Sequence, residues 1–111
     1  MARYIFTAMA NSKVGSENEY SEWCKNQHVN DVLDIPGFVS AQRFQLADVS
    51  FNEKPGNWMF LTIYEIETDD PNQVLVELGR RLGTEKMPRS EYGGAAMTLL
   101  WRPLSNHSSR S

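Results

Sequence analysis

Residues 58–66, Trp-Met-Phe-Leu-Thr-Ile-Tyr-Glu-Ile, read as a strand that is apolar on both faces. Trp58, Phe60, Thr62 and Tyr64 share one side; Met59, Leu61 and Ile63 share the other. A sheet with one wet face alternates apolar and polar side chains along each strand. A strand that does not alternate has to be covered twice. In a chain of 111 residues, one domain's length, helices can cover one face. The other face then needs a second copy.

The remaining elements supply the first cover. Arg3 to Met9 is a short apolar run, read as a strand. Ser16 is placed to cap a helix, with Glu19 three residues on completing a capping box. That helix is expected to run to about Leu33, where Pro36-Gly37 stops it. Phe38 to Leu46 reads as a second strand, with Phe38, Ser40, Gln42, Phe44 and Leu46 on one face and Val39, Ala41, Arg43 and Gln45 on the other. Ala47 to Asn57 is a polar loop with Pro55-Gly56 as its turn. Asp69 or Asp70 caps a second helix with Pro71 in its first turn and Val74, Leu75, Leu78 and Leu82 as its apolar stripe. Thr84 to Gly94 is a loop, long enough to act as a lid with Tyr92-Gly93-Gly94 as its hinge. Ala95 to Trp101 is the last strand.

The order is βαββαβ. It predicts an α+β, ferredoxin-like domain over residues 1–104: a four-stranded antiparallel sheet with both helices on one face. The bare face is expected to pair with its copy as a C2 homodimer, closing an α+β barrel. Residues 105–111 form a polar, Ser-rich tail.

Bulk properties narrow the function. The net charge of −3 offers no basic face for nucleic acid. No apolar run approaches the roughly 20 residues of a membrane span, and the start of the chain lacks a secretory pattern. The single cysteine, Cys24, allows no internal disulfide and reads as a packing residue. Cytoplasmic residence is the expectation.

The segment Tyr20 to Phe38 carries the chemistry. At helical spacing Tyr20, Trp23, Cys24, Gln27, His28 and Asp31 lie on one side. A core-facing stripe is normally apolar, so part of this one is expected to line a cavity. His28 holds or releases a proton near neutral pH, and Asp31 follows within a turn. By itself this pattern fits either a general acid–base or a hydrogen-bonded packing residue.

The pattern Tyr20-x-x-Trp23-x-x-x-x-His28-x-x-Asp31-Val-Leu, continuing through Ile35-Pro-Gly-Phe-Val39 and Gln42-Arg43-Phe44, resembles the small dimeric α+β barrel proteins, and most nearly their EthD-like branch. Leu61-Thr-Ile-Tyr64-Glu65 fits the same template, and the resemblance spans residues 3 to 103. It implies a pocket between helices and sheet in each subunit, with a first-helix histidine pointing into it; His28 is the matching position. The haem-degrading branch carries a histidine on its second helix, and residues 71–82 have none. Polyketide cyclases carry several pocket histidines; the only other one here is His107, in the tail.

The site expected is therefore His28 and Asp31 for proton transfer, with Tyr20, Trp23, Phe44, Tyr64 and Tyr92 around a small hydrophobic organic substrate. Arg43 is expected to pair with Glu65 across strands, or else to hold an anionic substrate group. Arg80, Arg81, Lys86 and Arg89 read as a solvated rim. His28 and Asp31 supply too few ligands for a typical zinc site, so no metal and no cofactor is expected. The activity expected is a cofactor-independent cyclase, isomerase or lyase acting on a carbonyl-bearing, polyketide-like or aromatic substrate. The alternatives are a cofactor-free monooxygenase on a phenol and a non-catalytic dimer that binds small ligands.

Overall fold

The computed structural model describes residues 1–52 and 56–110. Its elements are β1 (Ala2–Ser12), a helical rod made of α1 (Glu17–Trp23), a π-helical turn (Cys24–His28) and α2 (Val29–Leu33), then β2 (Phe38–Gln45), β3 (Phe60–Thr68), α3 (Pro71–Arg81) and β4 (Gly93–Trp101). The strands form one antiparallel sheet in the order β2-β3-β1-β4. This is the expected ferredoxin-like arrangement, with the doubly apolar strand in the interior. That strand starts at Phe60, so Trp58 precedes it. The Pro55-Gly56 turn falls partly outside the described residues.

The helix-facing side of the sheet holds the core. Phe6 on β1, Phe38 on β2, and Tyr64 and Ile66 on β3 are buried there. Phe38 meets both Phe6 and Tyr64 edge to face, at 5.8 and 5.5 Å between ring centres. Pairs of this kind contribute roughly 0.5–1.5 kcal/mol beyond their buried area. Val32 closes the core from the rod, Ile35 from the turn after it, and Val74 and Leu78 from α3. Asp70 caps α3 as expected, its Oδ1 accepting from the Gln73 amide at 3.1 Å. The capping box at Ser16 does not form. Ser16 makes no side-chain cap, and Glu17 Oε1 accepts from the Gly15 amide instead.

Three local departures shape the site. The first is a bulge in β2: Phe38 pairs with Ile66 but Ser40 pairs with Glu65, leaving Val39 as the extra residue. A bulge shifts the pleat by one position. Phe38 therefore shares the helix-facing side with Ala41 and Arg43, whereas simple alternation placed them on opposite faces. The second is the π-helical turn within the rod. The third is Gly94 in β4, opposite the irregularity in β1 between Ala10 and Ser12. A Cβ on Gly94 would lie 2.9 Å from the Asn11 carbonyl oxygen, so only glycine allows that approach. Gly93 and Gly94 are thus strand residues, and the expected hinge at Tyr92-Gly93-Gly94 is absent.

Among the described residues no element covers the outer face of the sheet. The Cα trace is only 19 Å thick along its shortest axis, one sheet plus one helix layer. Ile5, Met9, Leu61, Ile63 and Leu99 point outward by register, with Trp101 held among them by its Nε1–H donating to Thr7 Oγ1. Arg3 and Glu65 form an ion pair on this face. Arg81, expected to be solvated, is instead largely buried between Glu77 and Asp34, and so ties α3 to the end of the rod. No helix among the described residues is long and apolar enough to cross a membrane.

Candidate active site

The helix-facing side chains of β1 shrink along the strand, from Tyr4 and Phe6 to Ala8 and Ala10. Across the ladder Ala96 faces Ala10 and Thr98 faces Ala8. Small residues on both strands leave a hollow under the rod. The cavity is about 430 Å³ and is bounded by the rod, the sheet and the 84–94 loop. This lies within the roughly 300–1,000 Å³ typical of small-molecule sites. Another hollow, about 530 Å³, lies between Met1, Gly37 and α3. It is rimmed by carboxylates and arginines, Arg81 in its ion pairs among them, and contains no histidine, cysteine or tyrosine.

The rod forms an aromatic wall. Tyr20 packs on Phe60 at 5.5 Å and on Trp23 at 5.9 Å. Trp23 stacks on His28, with ring centres 4.9 Å apart and planes 19° apart. Five residues span about 140° of offset in a regular α-helix. The i→i+5 bonding of the π turn removes much of that offset and brings the two rings together. The same turn leaves Lys25, Asn26 and Gln27 exposed, so Gln27 drops out of the expected stripe.

Burial dominates the electrostatics. It lowers the His28 pKa below the ordinary histidine value, and the Asp31 charge offsets this only in part. His28 is therefore neutral at pH 7. Burial also pushes the hydroxyls of Tyr20 and Tyr64 far above the usual phenol range, with Cys24 adding to the effect, so both remain donors. The Cys24 thiol is pushed up by burial and stays protonated, as befits a packing residue. Among the described residues neither His28 Nδ1 nor Asp31 Oδ2 has a hydrogen-bond partner, although both are buried. His28 and Asp31, expected to be neighbours, thus make no hydrogen bond to each other, and Asp31 acts on His28 through its charge.

Of the residues expected at the site, Tyr20, Trp23, His28 and Tyr64 come together in the cavity wall. Phe44 reaches its edge, although pairing with Leu61 turns its side chain toward the outer face. Asp31 lies behind the wall and Tyr92 beside it; neither belongs to the lining. Arg43 does. The β2 bulge puts it opposite Thr62 on the helix-facing side, where its Nη2 donates to Ser21 Oγ at 2.8 Å. The expected Arg43–Glu65 pair fails because Glu65 points to the other face and binds Arg3. Pro88, Arg89 and Ser90 of the 84–94 loop complete the wall. That loop is pinned by fully buried Met87, whose carbonyl accepts from the Gly83 amide. The sequence signal for the cavity was the run of small residues, Ala8, Ala10, Ala96 and Thr98, on facing strands.

No protein-family model matches the chain, and no curated protein sequence is similar to it. Its fold does match solved structures. A candidate monooxygenase from Shewanella loihica PV-4 superposes with a TM-score of 0.63 at 16% identity, over 95% of this chain and 97% of the other. The haem degrader MhuD of Mycobacterium tuberculosis, with two haems in its active site, gives 0.55 at 15%, over 95% and 99%. An EthD family protein from Bacillus halodurans C-125 gives 0.52 at 10%, over 94% and 100%. The chain therefore has a ferredoxin-like fold, shared with these candidate monooxygenase, haem-degrader and EthD family structures. At these identities the likeness concerns the fold, and activity has to be argued from the cavity.

Proposed function

We propose that this protein is an enzyme in which neutral His28 removes a proton from an apolar, carbonyl-bearing or phenolic substrate. The observation that carries the reading is the His28 ring in the wall of an aromatic cavity, stacked on Trp23 and with no hydrogen-bond partner for its buried Nδ1 among the described residues. An orphaned buried polar atom calls for an explanation, and catalysis is one that fits the setting. Trp23 fixes the ring plane. Burial keeps the imidazole unprotonated, the state a base needs. Tyr20, Tyr64 and Arg43 supply donors for the enolate or phenolate oxygen that deprotonation creates. His28→Ala should lower turnover by about 10²–10⁴-fold while leaving the fold intact. Unchanged turnover would refute the role of His28.

The resulting carbanion or phenolate has two fates. Reaction with dioxygen would make the protein a monooxygenase, and the neighbour from Shewanella loihica favours this branch. Cyclisation, isomerisation or bond cleavage needs no oxygen. Turnover measured with and without oxygen separates them. Binding of substrates without any conversion would point to a ligand-binding dimer. Haem is not proposed as the substrate: α3, the counterpart of the helix that carries a histidine in the haem-degrading branch, has none.

The outer sheet face is proposed to bury itself against a second copy, as the uncovered apolar side of β3 requires. Ile63→Glu places a charge at its centre, on interior strand β3, and should convert a dimer to a monomer in sedimentation velocity.

A further inference from the structure

Arg43 is a half-buried cation that the proposed proton transfer leaves largely unexplained. A guanidinium carries five N–H donors in a planar fork. Only one hydrogen bond is made here, from Nη2 to Ser21 Oγ. Among the described residues no carboxylate pairs with it; the ion pairs are formed by Arg3, Arg80 and Arg81. The described lining of the cavity contains two arginines, Arg43 and Arg89, and no aspartate or glutamate. This holds in a chain with 14 acidic and 11 basic residues. The Arg43 charge also acts on Tyr20, Cys24 and Tyr64, opposing the effect of burial at each. It therefore lies among the groups that build the wall, away from the open surface.

Removing a cation from water is costly unless an anion accompanies it. The described residues supply none, so the ligand is the natural source. The planar fork of arginine matches a carboxylate in two parallel hydrogen bonds. The rest of the wall, with Tyr20, Trp23 and Phe60, suits a flat apolar body. We propose that Arg43 is the anion-binding residue of this cavity and that the protein selects aromatic carboxylates over neutral aromatics of the same shape. Arg89, on the loop at the rim, provides a second positive charge along the entry path. The proposal rests on the cavity as the substrate site, but not on proton transfer by His28.

Calorimetric titration with naphthalene-2-carboxylate and with its neutral isostere naphthalene-2-carboxamide tests it. The wild-type protein should bind the acid at least about tenfold more tightly than the amide, as a charge-assisted bidentate contact implies. Arg43→Gln should remove that preference, weakening the acid far more than the amide. Arg43→Lys, with the charge but not the fork, should retain part of it. His28→Asn should still favour the acid over the amide, even where both affinities change together, so a failure of the catalytic reading leaves this one standing. Equal affinity for acid and amide in the wild type would overturn the proposal, as would a preference that survives in Arg43→Gln. No measurable binding of the acid at millimolar concentration would also overturn it. The wild-type comparison decides the matter even where a variant fails to fold.

Discussion

His28→Phe should make the protein more stable and catalytically dead. The substitution keeps a planar ring against Trp23, where the present stack is 4.9 Å between centres. It removes the buried Nδ1, which has no partner among the described residues. An unsatisfied buried polar group costs roughly 1–3 kcal/mol. His28 is only half-buried and faces a cavity, so the lower end applies, about 1 kcal/mol. For a domain of this size that corresponds to a rise in Tm of roughly 4 °C. The gain should grow as the pH falls. Burial lowers the folded-state pKa of His28 below its unfolded value. Above the unfolded value, near 6.5, both states are neutral and the proton contributes nothing. Below it the unfolded chain takes up a proton that the folded chain resists, so wild-type stability declines until the folded pKa is reached. His28→Phe lacks this loss. Urea unfolding at pH 8 and pH 5, at fixed protomer concentration, measures both effects. A variant less stable than wild type at pH 8, or a difference that does not widen at pH 5, would refute the reasoning.

Other outcomes follow from the same structure. The rate of the proton-abstraction step should rise with pH along a limb whose midpoint lies below the usual histidine value, because His28 must be neutral and burial favours that form; a kcat/KM profile between pH 4 and 8 shows it. Gly94→Ala sets a Cβ 2.9 Å from the Asn11 carbonyl oxygen and should cost about 1–3 kcal/mol in urea unfolding. Cys24 should resist a thiol reagent in the native protein and react at once in denaturant, since burial raises its pKa and closes access.

The fold was legible in the sequence because its signals were local. Pro36-Gly37 and Asp70-Pro71 mark element ends chemically, and Trp58 to Ile66 declares an interior strand by its lack of alternation. The site was legible only in part. Tyr20, Trp23 and His28 were readable as neighbours, but helical periodicity also recruited Gln27, which the π turn rotates into solvent. Such a turn depends on one extra residue per helical repeat, and no residue type announces it. Arg43 was assigned a cross-strand partner because simple alternation knows nothing of the Val39 bulge. That single extra residue turns a presumed structural cation into a wall of the cavity. Asp31 was expected to share proton transfer with His28; spacing brought the two near, but no hydrogen bond joins them and Asp31 is not part of the cavity lining.

The most direct test of the central claim is an NMR pH titration of the His28 ring, assigned by comparison with a His107 variant, in the absence and presence of naphthalene-2-carboxylate. The account predicts a midpoint below the roughly 6.5 of a free histidine, and ring resonances that shift when the acid binds. A midpoint at or above that value, with resonances indifferent to the acid, would mean that His28 is neither a buried neutral base nor part of a binding cavity.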